Sequence, residues 1–263
     1  MDLFGYFLAV IIGILLSILG GGGSILTVPV LVYIFLFPPQ IATAYSLLIV
    51  GVISAIASLS YLKNGLASPK TALFFSFPSF VMVFLTRKFL MPIIPETIIS
   101  IGNFNLEKNH FIMIIFALLM LIASISMIKG RKEINDIESV TKKMNYGFIF
   151  LEGLAVGTLT GFVGVGGGFL IIPVLINFIK LPMKLAVGTS LMIISINSLI
   201  GFLGDLGHFQ IEYAFLAKFL GLALIGVAIG TNLSKKIKNE QLRPAFGWFV
   251  LIVSFTILII EII

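Results

Sequence analysis

Two glycine-rich stretches are the residues of this sequence whose types and spacing are best suited to chemistry. The first is Gly20-Gly21-Gly22-Gly23-Ser24, with Pro29 shortly after it, and the second is Gly164-Val165-Gly166-Gly167-Gly168, with Pro173 shortly after it. Consecutive glycines remove every Cβ and allow positive φ, so a helix is not expected to continue through them. Ser24 is a suitable N-cap for a new helix. The backbone N–H groups at such a helix start carry a partial positive charge that suits an anion.

Polar side chains that could orient the oxygen atoms of an anion follow each glycine cluster. They are hydroxyl residues and one amide, namely Thr43, Ser46, Thr189, Ser190 and Asn197. Hydroxyl groups both donate and accept hydrogen bonds, and an amide adds two donors. The full candidate set for substrate binding therefore consists of these five side chains together with Gly20, Gly21, Gly22, Gly23, Ser24, Gly164, Gly166, Gly167 and Gly168.

Each of these features also has a purely structural explanation. Small residues allow helices to pack closely in membranes, which would account for isolated glycines. Serine and threonine commonly bond back to carbonyl groups of their own helix. Two clusters that are each followed by a proline favour a substrate site over packing alone.

Glu152 is an ionisable residue within an apolar segment. Such a residue is a functional hypothesis by default, here a carboxylate that couples transport to protons. It could instead lie shallow enough to reach the lipid headgroups, which is the reading we favour. Lys218 is expected to snorkel to the interface. His110 and His208 lack clustered partners, so no metal site and no cofactor are expected.

The sequence offers little support for an enzyme. Neither glycine run continues into the Gly-Lys-Ser/Thr of a nucleotide-binding loop. No serine–histidine–aspartate set or pair of carboxylates lies in the apolar segments, and the absence of cysteine excludes disulfides and thiolate chemistry.

The composition indicates a polytopic membrane protein of the cell membrane, with the lipid bilayer as its surroundings. The chain has 263 residues, of which 59% are hydrophobic and 11% are charged; soluble domains carry about 25% charged residues. Its net charge of +6 comes from basic residues in short loops. Basic loops determine membrane topology, so nucleic acid is not an expected partner. Nothing in the sequence indicates the oligomeric state.

The predicted fold is all-α, with eight apolar segments in two homologous four-segment repeats. The segments cover residues 3–37, 42–61, 71–90, 110–128, 146–179, 185–203, 213–233 and 244–262. Most approach the roughly 20 residues that a helix needs to cross a bilayer. The first and fifth are much longer, and they contain the glycine clusters. The predicted division is a first membrane repeat at 1–128, a charged cytoplasmic linker at 129–145 and a second repeat at 146–263.

The two halves match at an offset of 144 residues. Gly20, Gly22 and Gly23 correspond to Gly164, Gly166 and Gly167, and Pro29 and Ser46 correspond to Pro173 and Ser190. Glycine, proline and serine held in one register indicate an internal duplication. Paired interrupted segments in the two halves of a membrane protein point to the binding site of a transporter.

Two topologies fit the duplication. If the first segment of each half crosses once, the repeats are parallel and the basic residues divide evenly between the two sides. If each glycine cluster is the tip of a re-entrant hairpin, the repeats are inverted, there are six full spans, and both termini lie outside. One side then keeps only three basic residues, namely Arg87, Lys88 and Lys108, and Lys218 is left inside a span. The positive-inside rule therefore favours the inverted arrangement, and so does the length of the first segment, since 35 helical residues extend about 50 Å.

The residues of both halves resemble the sulfite exporter TauE/SafE family over nearly the whole chain. The resemblance rests on the first glycine cluster with Pro29 and Ala42-Thr43-Ala44-Tyr45-Ser46-Leu47, and on the second cluster with Pro173 and Ala186-Val187-Gly188-Thr189-Ser190-Leu191. It implies a membrane permease for small anions that often contain sulfur, such as sulfite or organosulfonates.

The leading hypothesis is thus a secondary transporter that exports small sulfur-containing anions and holds them near the midplane between two glycine-broken helices. The alternatives are a passive anion channel that uses the same site, and a membrane scaffold protein that transports nothing. Thr189 stands where the first half has Tyr45, so the two repeats are not expected to use this position identically.

Overall fold

The structure is a computed structural model, and it describes residues 2–101, 104–128, 146–163, 167–207, 210–234 and 239–262. Most of these residues are helical. The predicted linker at 129–145 and the glycines Gly164 and Gly166 lie outside the described residues.

The first half contains five helices and a β-hairpin. They are α1 (Asp2–Leu19), α2 (Ser24–Pro29), α3 (Pro39–Lys63), α4 (Pro69–Leu85), strands β1 (Thr97–Ile101) and β2 (Phe104–Glu107), and α5 (Lys108–Ile128). A 3₁₀ turn (Gly20–Gly22) separates α1 from α2, and a π-helical turn (Val30–Ile34) extends α2. A second π-helical turn (Thr86–Leu90) and a short turn (Met91–Ile93) continue α4.

The second half repeats this order of helices. It contains α6 (Tyr146–Val163), α7 (Gly168–Asn177), α8 (Met183–Asp205), α9 (Tyr213–Ser234) and α10 (Asn239–Ile262). The antiparallel hairpin of β1 and β2 has no counterpart between α9 and α10 among the described residues. Apart from this two-stranded hairpin, the described residues fit the predicted all-α membrane protein.

Five of the described helices are long and apolar enough to cross a membrane, namely Pro39–Lys63, Pro69–Ile93, Lys108–Ile125, Met183–Asp205 and Tyr213–Ser234. Shorter apolar helices accompany them. Large apolar side chains are exposed on the outside of the bundle, among them Leu73, Phe77, Ile122 and Phe255. Apolar atoms facing outward suit a lipid environment, so the helical part of the fold is that of an integral membrane protein.

The first glycine cluster interrupts the helix, but not in the predicted manner. Gly20 has φ +63°. Ser24 is not the N-cap of α2, because Gly23 already has the helical φ of −67° and ψ of −27°. Ser24 therefore lies inside the first turn, and its hydroxyl donates to the carbonyl of Gly21 at 2.5 Å. In the second cluster, Gly167 has φ +69° and precedes the start of α7.

The two arms of the first broken helix return to the same end. Gly5 and Tyr6, near the start of α1, lie against Ile34 and Phe35 at the end of the π-helical turn. The rings of Tyr6 and Phe35 have centroids 5.4 Å apart in an edge-on arrangement. Residues 2–35 thus form a helical hairpin with the glycines at its tip.

Helices of one half pack on helices of the other. The main pairs are α1 with α9, α4 with α6, α3 with α8, and α5 with α10. Contacts along α3 and α8 run in opposite directions: Leu47 lies against Gly201, Gly51 against Leu199, and Tyr61 against Gly188. The central pair α3 and α8 is therefore antiparallel.

Several local features recur at the offset of 144 residues. Leu36 and Lys180 both have positive φ, 59° and 65°. Gly13 of α1 packs on Ala223 of α9, and Gly157 of α6 packs on Ser79 of α4. Gly157 is the 144-residue counterpart of Gly13, and Ala223 is the counterpart of Ser79. The contact between α1 and α9 is thus repeated between α6 and α4.

Glycine allows α1 and α9 to approach closely, which gives a test on α9 itself. A Cβ at Gly226 would collide with the carbonyl of Val10, whereas a Cβ at Gly221 meets nothing within 4 Å. We expect Gly226→Ala to lower the midpoint of thermal unfolding in detergent, since forced overpacking costs about 1–3 kcal/mol. Gly221→Ala is the matched control and should leave the midpoint unchanged or raise it, because alanine favours helix. Equal midpoints for both variants would contradict this packing.

Candidate functional site

The tips of the two glycine-broken helices meet inside the protein. The backbone of Gly21 contacts the backbone of Gly168, so a Cβ on either glycine would collide with the other. Gly20 faces the hydroxyl of Ser190 and the side chain of Ile172. The structure therefore brings together four predicted site residues, namely Gly20, Gly21, Gly168 and Ser190.

Two of the predicted hydroxyl groups bond to their own helices. Ser190 donates to the carbonyl of Val187 at 2.8 Å, and Thr43 donates to the carbonyl of Gln40 at 2.8 Å. These bonds match the structural explanation of serine and threonine in membrane helices. Ser46 differs, because its buried hydroxyl has no hydrogen-bond partner among the described residues.

Thr189 and Tyr45 have equivalent roles at opposite ends of the α3–α8 pair. The Thr189 hydroxyl accepts a hydrogen bond of 2.9 Å from the backbone N–H of Ser68, which immediately precedes α4. The Tyr45 hydroxyl accepts one of 2.8 Å from the backbone N–H of Glu212, which immediately precedes α9. Each central helix thus holds the start of a helix from the other half. The difference in residue type at this position is compatible with a shared structural role.

Other predicted residues are buried elsewhere in the bundle. Asn197 of α8 is fully buried and donates to the Ser79 hydroxyl of α4 at 2.7 Å, while its Oδ1 has no partner among the described residues. Gly167 lies against Thr160 of α6. Glu152 is half-buried, and neither of its carboxylate oxygens has a hydrogen-bond partner in the described part of the chain.

Arg87 is a polar residue that the sequence analysis misplaced. Charge counting assigned it to a loop, but it lies in the π-helical turn that continues α4 and is only 2% exposed. Its Nη1 lies 3.3 Å from Asp205 Oδ2 at the end of α8 and donates to the Thr43 hydroxyl at 3.1 Å. Arg87 could have been recognised from the sequence, because it falls inside the predicted apolar segment 71–90. Glu152 was selected as a candidate by this criterion, an ionisable residue within an apolar segment.

Arg87 lines a cavity of about 510 Å³ at the end of the bundle where α3 begins, here called the Arg87 cavity. Gln40, Lys108, Asn109 and Asp205 also line it. Lys108 is 5% exposed, so its charge is buried as well. A buried cation attracts an anion strongly, since the surrounding dielectric is low.

A second and much smaller cavity lies at the opposite end of α3 and is here called the Tyr61 cavity. Its volume is about 30 Å³, and its lining includes Tyr61, Lys184, Thr231 and Ser234. The Tyr61 hydroxyl donates to the carbonyl of Ser17 at 2.7 Å, which joins α3 to α1 beside it. Thr231 and Tyr61 are the 144-residue counterparts of Arg87 and Asp205. The two cavities therefore occupy equivalent positions at opposite ends of the bundle, and residues of both halves line each of them.

Comparison with known proteins places this helical membrane bundle among the transport proteins. The chain belongs to the sulfite exporter TauE/SafE family, whose model matches residues 6–257. A "Probable membrane transporter protein" of Xylella fastidiosa is 28% identical over 255 residues, which cover 94% of this chain and 91% of that protein. The "Probable membrane transporter protein YunE" of Bacillus subtilis is 26% identical over 253 residues, covering 89% of each.

A probable membrane transporter protein of Methanocaldococcus jannaschii is 28% identical over 250 residues, covering 89% of this chain and 86% of that protein. No solved structure matches the chain at a significant level. The protein is thus an integral membrane transporter, and the family resemblance drawn from its motifs is confirmed.

The hydrogen bond between Thr189 and Ser68 gives a second test. Thr189→Val keeps the shape of the side chain but removes the acceptor of the Ser68 N–H, so we expect the protein to lose about 1 kcal/mol of stability. Thr189→Ser retains the hydroxyl and should restore most of it. Unfolding of the purified variants in detergent measures this difference. A valine variant that kept full stability and instead bound anions less tightly would assign Thr189 to the substrate.

Proposed function

We propose that the protein is a secondary transporter that exports small sulfur-containing oxyanions, such as sulfite or organosulfonates, by alternating access. One observation carries the proposal: the two equivalent cavities differ greatly in volume, about 510 Å³ against about 30 Å³. A carrier needs one side open while the other is closed. In this proposal the larger Arg87 cavity is assigned to the open side and the smaller Tyr61 cavity to the closed side.

The proposed architecture is an inverted repeat with two re-entrant hairpins and six full spans. The first repeat takes residues 1–128 and the second 146–263, with 129–145 as the linker. The antiparallel packing of α3 and α8 supports inversion, and so does the exchanged pairing of α1 with α9 and α6 with α4. The return of Phe35 to Gly5 supports the first re-entrant hairpin.

The distribution of basic residues gives the orientation. The end of the bundle at the Tyr61 cavity carries Lys63, Lys70, Lys180 and Lys184, which lie at or near the ends of α3, α4 and α8. The positive-inside rule assigns that end to the cytoplasm. The Arg87 cavity then opens to the outside, and the structure represents an outward-facing state.

The glycine tips form the barrier between the two cavities in this proposal. Gly21 and Gly168 touch, and Ser46 and Ser190 lie on the central helices α3 and α8. When the repeats move against each other, the tips would part and their N–H groups would face the passing anion. Both carboxylate oxygens of Glu152 are buried without a partner among the described residues. This burial favours a coupling role over a headgroup contact, so Glu152 would couple this step to protons.

The assignment of a sulfur-containing anion is supported by the family description, which names sulfite. No ATP-binding motif is present in the sequence, so the driving force would be an ion gradient or the membrane potential. The chain would then be a permease and not an enzyme.

Transport in vesicles tests the function. The purified protein in liposomes should take up labelled sulfite or sulfoacetate with saturation, and internal unlabelled anion should accelerate the uptake by exchange. A passive channel would give flux without saturation or exchange, and a scaffold protein would give no flux. Gly21→Ala should strongly reduce the flux because the new Cβ meets the Gly168 backbone.

Gly221→Ala is the control for that variant, because its Cβ meets nothing within 4 Å. It should transport like the unmodified protein. Full transport by Gly21→Ala, in a protein that elutes as a single folded species, would exclude the tips from the barrier.

Cysteine labelling tests the topology, and the chain has no cysteine to remove first. In the inverted arrangement, Asn64→Cys and Asn232→Cys should both react with an impermeant maleimide from the cytoplasmic side, and Glu96→Cys from the outside. All three residues are exposed. Parallel repeats would place residues 64 and 232 on opposite sides, so labelling of those two from different sides would contradict the proposal.

A further inference from the structure

We infer that Arg87 is the residue that binds the oxyanion in the Arg87 cavity, and that Asp205 is the carboxylate with which the anion competes for it. This inference rests on the proposed transport function and adds a binding residue outside the glycine tips. It concerns the outward-open end of the bundle, where α3 begins and α4 and α8 end.

One of the three guanidinium nitrogens of Arg87 contacts other side chains, and the other two have no hydrogen-bond partner among the described residues. Nη1 is engaged by Asp205 at 3.3 Å and by Thr43 at 3.1 Å. Nε and Nη2 are buried, yet they have no hydrogen-bond partner among the described residues. Unsatisfied buried donors are rare, because each one costs its full desolvation energy. Neither atom has accessible surface in this state, so an anion in the cavity would reach them as the contact between Arg87 and Asp205 opens, and that pairing would explain why they are kept.

The free edge of the guanidinium has the geometry that an oxyanion requires. Nε and Nη2 point two N–H groups in the same direction, and this fork matches two oxygens of a planar or tetrahedral anion. Sulfite, sulfate and sulfonate groups all offer such a pair of oxygens. A lysine offers a point charge without the fork, so the choice of arginine favours bidentate recognition.

The cavity supplies both space and charge for such a ligand. Its volume of about 510 Å³ lies within the range of small-molecule sites. Among the described residues that line it, two cations, Arg87 and Lys108, and one carboxylate, Asp205, are buried. Glu96 also lines the cavity but is exposed. The buried part of the cavity therefore carries an excess of positive charge.

Asp205 stabilises the buried charge of Arg87 when no anion is bound. A buried guanidinium without a counter-ion would be very costly, and the ion pair with Asp205 lowers that cost. An arriving anion would share or replace this pairing, so that the net binding energy stays moderate. A transporter needs such moderation, because a substrate that binds too tightly is not released.

The site lies at one end of the bundle only, and each half contributes one residue to it. At the equivalent position in the Tyr61 cavity, Thr231 replaces Arg87 and Tyr61 replaces Asp205. The described lining of the Tyr61 cavity therefore contains neither the fork nor its carboxylate, and Lys184 is the cation in that lining. The two ends of the path would bind the same anion with different strengths.

The test compares substitutions with opposite expected signs in the purified full-length protein. Sulfite, sulfoacetate and sulfate are titrated at constant ionic strength, with chloride as the reference, and the shift of the unfolding midpoint is measured. Arg87→Gln should weaken apparent anion affinity on the order of 10- to 100-fold, as expected for losing charge-assisted hydrogen bonds. Asp205→Asn should tighten it, because the competing carboxylate is gone.

Two further variants guard against misfolding and unspecific charge effects. Arg87→Gln alone leaves Asp205 buried without its arginine and could fail to fold, so Arg87→Gln/Asp205→Asn removes both charges together and should also lose the anion-dependent shift. Lys88→Gln removes one positive charge from the next residue, which is exposed, and should bind anions like the unmodified protein.

The outcomes separate this inference from the proposed function. If the double variant shows the same anion-dependent shift as the unmodified protein, Arg87 is not the binding residue, whether or not the protein transports. If Asp205→Asn weakens the anion affinity, Asp205 does not compete with the anion for Arg87. If the unmodified protein moves no anion in vesicles, the transport proposal fails, and the binding titration still decides the role of Arg87.

Discussion

The fold depends on a constraint that the bilayer imposes on any interrupted helix. Backbone N–H and C=O groups that leave a helix within the hydrocarbon region find no water, so such a break is tolerated only where protein or a wet cavity surrounds it. Here the break at Gly20–Gly22 lies against Gly168, Ser190 and Ile172. Only glycine permits this approach, because a Cβ on Gly21 would occupy the position of the Gly168 backbone. The broken helix therefore needs the second glycine tip to shield its backbone, and the second tip can approach only because the break consists of glycines.

The central antiparallel pair α3 and α8 transmits that constraint to both ends of the bundle. Tyr45 and Thr189 each hold the backbone N–H that precedes a helix of the other half. A shift of α3 relative to α8 would therefore displace the starts of α4 and α9 as well. Since α4 carries Arg87 and α9 carries Thr231, both cavities would change in the same movement. This linkage is the physical basis for expecting one cavity to open as the other closes.

Sequence reasoning predicted the parts of the fold that local chemistry determines. Consecutive glycines disfavour a helix, and α1 ends at Leu19, directly before Gly20. It did not predict Ser24 correctly, because the helical φ of Gly23 depends on how the 3₁₀ turn packs. Nor did it predict the β-hairpin after α4, which lies in a stretch treated as a loop.

The site was harder to predict than the fold, since its key contact joins residues that are distant in sequence. Arg87 and Asp205 lie 118 positions apart, and neither has a charged counterpart at the 144-residue offset. The duplication highlights features that occur in both halves, whereas this pair joins one residue of each half and is not repeated at the other end of the bundle. Thr189 is a different case, because its hydroxyl accepts a hydrogen bond from the Ser68 backbone, a long-range contact that the sequence does not reveal; its predicted substrate role stays a prediction.

The asymmetry between the halves has an energetic consequence. If the two repeats had identical sequences, the outward-open and inward-open states would have equal energies, because a two-fold rotation would convert the contacts of one state into those of the other. Here one end carries a buried ion pair between Arg87 and Asp205, and the other carries Thr231 and Tyr61. The two side chains are already only 2% and 10% exposed, so closing the Arg87 cavity would remove the last solvent beside them, and burial costs several kcal/mol per ion unless the ions remain paired. Without substrate this cost favours the state in which the cavity stays open, and a bound oxyanion that satisfies Nε and Nη2 would reduce it. The same pair of residues would therefore make closure depend on the presence of the anion, which is what distinguishes a carrier from a leak.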